Sequence, residues 1–289
     1  MDHESARLYA LVLEARHLPC RTPRQGPGWT VQVRRMDREQ ALEELHLWLT
    51  ENQGQSKPHQ PPPPPLPGPS EIFPPALGGL TLAAAHAFAV RAHPDLGVYP
   101  QLLLERGSAN ARAMLHGEWW RSITALTLHA DGPHVLGNAV VGTLFIALVC
   151  RRLGCGPALL LTIMGGIFGN LCNALTMGPP HDSIGFSTAV FAAAGLLAAQ
   201  GTLEGHGGWL RSLVPLGAGF GLLAMLGSGG ENTDLGAHLF GFVNGLLLGL
   251  LAGTLIRRKG RPGPYLRTAA ALLAVLLPVL AWIAAWLTA

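Results

Sequence analysis

Residues 185–195 read GFSTAVFAAAG, a serine placed two residues after a glycine and followed by an unbroken apolar run of small side chains. A stretch that is hydrophobic all round is a buried or membrane-spanning helix, not a surface helix with one wet face. The run extends over Phe186–Leu203, with Ser187 at its N-terminal end. A second stretch, AHLFGFVNG at 237–245, places His238 one turn into another apolar run, Leu235–Ile256. Working outward, five more such runs appear: Ile72–Val90, His134–Cys150, Pro157–Met177, Trp209–Leu226 and Leu266–Leu287. A bilayer core of about 30 Å needs about 20 helical residues. Seven runs of about that length in series predict an α-helical polytopic membrane protein, a helix bundle with the lipid bilayer as its solvent.

The part before these runs differs in kind. Charged residues make up 13% of the 289 residues, and most lie in the first sixty or in one loop. Residues 1–56 are expected to form a small α/β cytoplasmic domain. Its strands are predicted at Leu8–Leu13 and at Trp29–Val33, where polar and apolar residues alternate. A helix is predicted from Arg38 to about Glu51, capped by Asp37, with Ala41, Leu42, Leu45, Trp48 and Leu49 on one face. So small a unit buries little core, which predicts self-association or contact with lipid headgroups. Residues 61–65 are five consecutive prolines. Such a run forms an extended rod that joins no core, so 57–71 reads as a linker. The remaining division is a six-helix core over 72–256, then a basic loop and a seventh helix over 257–289.

Several function classes are excluded. A net charge of +3 with no basic run interleaved with aromatics gives no nucleic-acid partner. Cys20, Cys150, Cys155 and Cys172 form no CxxC pair, so neither a disulfide framework nor a zinc site is expected. The glycine-rich stretch 165–173 lies in a span and lacks the lysine of a phosphate loop. The opening MDHESARLYA has no apolar core, so no cleavable signal peptide is expected. Orientation follows from Arg151–Arg152 after the second span and Arg257, Arg258, Lys259 and Arg261 after the sixth. Both sets belong on the cytoplasmic side, which puts the N-terminus inside and the C-terminus outside. Arg91, Arg106, Arg112 and Arg121, in the loop after the first span, run against this scheme.

Polar groups inside spans are costly and face the bundle interior. Ser187, His238 and the pair His134 and Asn138, four apart on one helix face, all fall at the outer ends of their helices. A serine hydroxyl is a weak nucleophile until a base within reach takes its proton, and imidazole can do so at neutral pH. The resulting oxyanion needs donors. The Ser187 backbone N–H at a helix N-terminus, the Asn138 amide and a His134 ring N–H qualify. Gly185 lets the backbone approach a substrate. Gly241, Gly245 and Gly249 form a small-residue face that lets the sixth helix press on a neighbour, and Ser187, Phe191 and Gly195 form the matching face on the fourth.

With these residues in view, the sequence resembles the rhomboid intramembrane serine proteases. The matching pieces are GEWWR (117–121), LHADGPHVLGN (128–138), GFSTAVFAAAG (185–195) and AHLFGFVNG (237–245), in that order across about 72–256. The resemblance implies a Ser187–His238 dyad, with His134, Asn138 and Ser187 at the oxyanion hole. It also implies that Trp120 and Arg121 belong to a membrane-embedded loop. It implies endopeptidase cleavage of transmembrane protein substrates near the outer face, with no cofactor or metal, in the inner (plasma) membrane of a bacterium. One departure is Thr188, where the family usually has glycine; a β-branched side chain there predicts crowding of the oxyanion site. Two further readings of the same polar groups are an inactive rhomboid-like adaptor that binds transmembrane helices and a small transporter. Asp234, four residues before His238, is expected to cap its helix and face water. His129 is expected to bond across its loop, and His86 has no evident partner in sequence.

Overall fold

The computed structural model of the chain describes residues 1–26, 28–52, 66–203 and 234–288. The proline run at 61–65 and the expected span Trp209–Leu226 lie outside the described residues. The chain divides into two compact units, Met1–Pro65 and Leu66–Ala289.

The first unit holds α1 (His3–Ala15), four two-residue strands and α2 (Arg38–Glu51). The strand expected at Leu8–Leu13 is the second half of α1. A six-residue apolar run fits either element by periodicity alone. The deciding signals are Ala6, Ala10 and Leu13, which the helix buries on one side, and Asp2, whose carboxylate accepts the Ser5 amide at 2.7 Å. The expected strand Trp29–Val33 is also divided. Its first part, β3 (Gly28–Trp29), pairs antiparallel with β2 (Arg24–Gln25). Its second, β4 (Gln32–Val33), pairs with β1 (Cys20–Arg21). Between the two, Thr30 donates its N–H to the Pro23 carbonyl. Asp37 occupies the N-cap position of α2 without capping it, because its carboxylate accepts Arg34 Nε at 2.7 Å instead. Of the predicted apolar face, Ala41 and Leu45 pack with Leu13 and Leu18, whereas Leu42 and Leu49 are exposed.

The described residues of the second unit are mainly helical. It runs α3 (Pro69–Ala89), α4 (Pro100–Gly107), α5 (Ala111–Leu115), α6 (Arg121–Thr124), α7 (Gly132–Leu153), α8 (Cys155–Met177), α9 (Ser187–Leu203), α10 (Leu235–Lys259) and α11 (Pro264–Leu287). Of these, α3, α7, α8, α10 and α11 are long and apolar enough to cross a membrane, and α9 is a shorter apolar helix. The outward rows are apolar too: Leu136, Val140 and Leu144 on α7, and Leu247, Leu251 and Leu255 on α10, are all exposed. Rows of that length facing outward belong against acyl chains. The chain is a polytopic helical membrane protein.

Within the bundle α8 is central, packed against α7, α9, α10 and α11, while α9 lies along α10. Small residues permit the closest approaches. A Cβ on Gly241 would collide with the Thr188 carbonyl, one on Gly245 with the Ala192 carbonyl, and one on Gly195 with the Phe242 carbonyl. Backbone thus meets backbone at these three points of the α9–α10 seam, which is how helices associate where lipid removes any hydrophobic drive between them.

The three short helices between α3 and α7 form an ordered layer. Arg121 is buried there, donating from Nε to Glu118 at 2.6 Å and from Nη1 to the Ser108 carbonyl at 3.1 Å. Arg106 lies with its guanidinium 4.4 Å from the Trp286 ring centroid. Two of the four arginines that ran against the charge rule are therefore engaged within the chain, Arg121 buried and Arg106 half-buried over an exposed ring.

Candidate active site

Ser187 opens α9, and His238 stands one turn into α10. The glycine seam brings the two helices close enough for the Ser187 Oγ and His238 Nε2 to lie 2.9 Å apart. His238 is 7% exposed, and the Phe191 ring stacks on it at 4.3 Å between centroids, 27° from parallel. Phe191 lies one turn beyond Ser187, so one helix face supplies both the hydroxyl and the surface that holds the imidazole. Among the described residues His238 Nδ1 has no hydrogen-bond partner. A serine and an imidazole in this contact can transfer a proton without a third group.

Asp234 is correctly placed in sequence to cap α10, and it does so, accepting the Ala237 amide at 3.0 Å. It does not face water. Its Oδ2 accepts Asn173 Nδ2 at 2.7 Å and His181 Nε2 at 2.8 Å, and its side chain is only 17% exposed. The carboxylate ties the end of α8 and the loop before α9 to the start of α10. Neither His181 nor Asn173 had a predicted role; a buried asparagine in a span was the available signal. Asp234→Asn keeps the cap and removes the charge. It should lower thermal stability by about 1.5–3 kcal/mol, the worth of a hydrogen bond to a charged group. Turnover at saturating substrate should stay within roughly threefold, because the carboxylate makes no hydrogen bond to the His238 ring, and the Asp234 carbonyl that accepts the His238 N–H is unchanged. Melting and turnover measured on the same preparation separate the two effects.

The turn into Ser187 is built from three directions. Gly185 has φ +135°, a conformation open to glycine and strained for other residues. An added Cβ would lie 3.0 Å from His134 Cε1 and 3.4 Å from Ser187 Oγ, so the glycine leaves open the space between ring and hydroxyl. The Gly185 N–H donates to the Ala125 carbonyl at 2.9 Å. The next amide, Phe186 N–H, donates to His129 Nε2 at 3.2 Å. His129 thus bonds to the turn that leads into Ser187 rather than only within its own loop. Burial, helped by the neighbouring His134 and His86 rings, pushes His129 down to about 4, so at neutral pH its nitrogen is free to accept. His86 belongs to this row: its ring meets His129 edge-on at 6.3 Å, and His129 meets His134 at 5.3 Å.

Asn138 lies between His134, which faces Gly185, and Gly142, which faces Phe186 and Val190. All three share one face of α7, opposite residues 185–190. The Asn138 amide is buried, and among the described residues its Nδ2 has no partner. A buried donor without an acceptor is uncommon and costly, and here it adjoins the serine's turn. The Ser187 N–H at the start of α9 adds a second donor and the positive end of the helix dipole.

Thr188 does not crowd this space. It is 3% exposed, and its methyl is directed at Gly169 of α8 and Gly241 of α10, where the missing side chains make room for it. Trp120 packs in a buried cluster with Ile123, Leu126, Ile167 and Ala189. Trp120 and Arg121 therefore hold the loop layer together and do not reach the Ser187–His238 contact.

Comparison with known proteins gives one consistent result. The family model described as Rhomboid domain matches residues 116–255. The Bacillus subtilis protein YdcA, named for a rhomboid protease, is 33% identical over 152 residues, 50% of this chain and 72% of that protein. The Rhomboid protease GluP of the same organism is 26% identical over 182 residues, 61% of this chain and 34% of GluP. The chloroplastic RHOMBOID-like protein 9 of Arabidopsis thaliana is 31% identical over 140 residues, 46% of this chain and 32% of that protein. The match thus spans most of the first relative and about a third of each of the others.

Proposed function

The chain belongs to the rhomboid family, and on that premise we propose that it is an intramembrane serine endopeptidase acting through Ser187 and His238. The observation that carries this reading is the 2.9 Å contact between Ser187 Oγ and His238 Nε2 inside the bundle. His238 takes the hydroxyl proton as Ser187 attacks the scissile carbonyl carbon. A tetrahedral oxyanion forms. His238 then returns the proton to the leaving amine, and the peptide C–N bond breaks. Water hydrolyses the acyl-enzyme by the same relay. The Ser187 N–H, the Asn138 Nδ2 and a ring N–H of His134 are the oxyanion donors in this reading.

The substrates are transmembrane proteins, cut near the outer face. In this reading the N-terminus is cytoplasmic and the C-terminus outside, which the basic residues after the second and sixth spans support, and the membrane is the inner membrane of a bacterium, as the family resemblance implies. The adaptor reading is disfavoured by the presence of both reacting groups in contact. The test is purified protein in liposomes with a single-span reporter substrate, the products weighed by mass spectrometry. Wild type should give one cut within or near the outer end of the span, and Ser187→Ala none. Uncut reporter with wild type would favour the adaptor.

The division of the chain carries a second expectation. We assign the first unit to regulation, self-association or substrate access, and catalysis to residues beyond Gly117. Removing residues 1–65 leaves Gly68, whose N–H donates to the Glu71 carboxylate and starts α3. The truncated protein should turn over the reporter within roughly threefold of the full chain. If a monodisperse truncated protein is inactive, the first unit contributes to catalysis.

A further inference from the structure

Helix α11 lies beyond residue 255, where the family match ends, yet it packs into the layer that supports the serine. Ala281 and Ala285 of α11 are each 1% exposed, in one cluster with Trp120, Ile123, Leu126 and Ala189. Beside them, Trp282 Nε1–H donates to Thr127 Oγ1 at 3.0 Å. Thr127 in turn donates to the Thr124 carbonyl at 2.7 Å. The Trp282 ring also lies over Gly107, where any side chain would collide with it.

Thr127 sits in the middle of a short segment with one evident task. The Ala125 carbonyl accepts the Gly185 N–H at 2.9 Å, and His129 Nε2 accepts the Phe186 N–H at 3.2 Å. These are the two amides immediately before Ser187. The turn that presents the serine is therefore hung from residues 125–129, and from α11 an indole N–H bonds to that segment. A displacement of about 1 Å at a reacting group costs up to roughly 10²-fold in rate, so the holding of this segment matters to chemistry.

We propose that Trp282 is a positioning residue: its bond to Thr127 fixes the 125–129 segment, which sets the geometry of the Gly185–Phe186–Ser187 turn. The proposal rests on the reading of Ser187 as nucleophile for its kinetic consequence, though not for its structural one. A tryptophan that merely packs against the loop would be replaced by phenylalanine with little effect. A tryptophan that positions through its N–H would not.

The experiment uses the full chain. Trp282→Phe keeps an aromatic ring and removes the donor; Thr127→Val removes the acceptor; Thr127→Ser retains it. Each loss should lower kcat roughly 3- to 10-fold, the worth of one neutral hydrogen bond, with KM within twofold and the melting temperature lowered only slightly. Thr127→Ser should match wild type, and the Trp282→Phe/Thr127→Val double variant should be no slower than Thr127→Val alone, since that substitution already breaks the bond that Trp282→Phe removes, along with the Thr127–Thr124 bond. Amide hydrogen exchange over 183–187, measured in an inactive Ser187→Ala background, should rise with Trp282→Phe. Unchanged exchange, or additive losses in the double variant, would overturn the proposal. Wild type that leaves the reporter uncut would overturn the protease reading instead, and the exchange result would still decide the role of Trp282.

Discussion

Ser187→Ala and His238→Ala should each reduce turnover of a transmembrane reporter by at least about 10⁴-fold, and the double variant should be no worse than either. The reason is the sharing of one proton. Without the imidazole the hydroxyl is not activated, and without the hydroxyl the imidazole has nothing to activate. The 2.9 Å contact and the stacking of Phe191 on His238 place both groups in one unit. Losses that multiply in the double variant would mean that the two residues act independently, which the proposed relay does not allow. Neither substitution should unfold the protein. The α9–α10 seam is made by Gly195, Gly241 and Gly245 against backbone, not by the reacting side chains, so melting near the wild-type value is part of the expectation.

Asn138→Ala should lower kcat by roughly 10²- to 10³-fold and leave KM nearly unchanged, the pattern of a lost oxyanion donor. Stability distinguishes this from a structural role. Asn138 Nδ2 is buried with no acceptor among the described residues, and a buried donor left unpaired is a cost to the folded state. Removing it should therefore leave the melting temperature unchanged or raise it, while activity falls. Such opposition is expected where a site is preorganised for a charge that exists only in the transition state. A drop in melting temperature together with activity would instead make Asn138 an ordinary interhelical contact.

The sequence was most legible where one period dominates. Runs of about 20 apolar residues announce helices whatever surrounds them, and α3, α7, α8, α10 and α11 all fall on such runs. Legibility failed where short segments are decided by partners. LYALVL is helical because Ala6, Ala10 and Leu13 meet a core and Asp2 caps the start, and neither fact shows in the run itself. Asp37 had the right type and place for a cap, but Arg34 was closer at hand.

At the candidate site, spacing put His134 and Asn138 on one face and Ser187 and His238 at helix ends. It could not foresee what joins them. The acceptors for Gly185 and Phe186 come from residues 125–129, about 60 positions away, and one of them is a backbone carbonyl with no signature in any side chain. The expected crowding by Thr188 failed for the same reason. Its methyl occupies room left by Gly169 and Gly241 on two other helices, and only the assembled bundle shows that the three positions belong together.

The central claim is that Ser187 is the nucleophile, and covalent labelling tests it most directly. Detergent-solubilised protein treated with a fluorophosphonate should take up one label, and mass spectrometry of the digested adduct should locate it on Ser187. His238→Ala should abolish labelling, because the hydroxyl then keeps its proton. Label on Ser183 or another serine, or equal labelling of wild type and His238→Ala, would contradict the account.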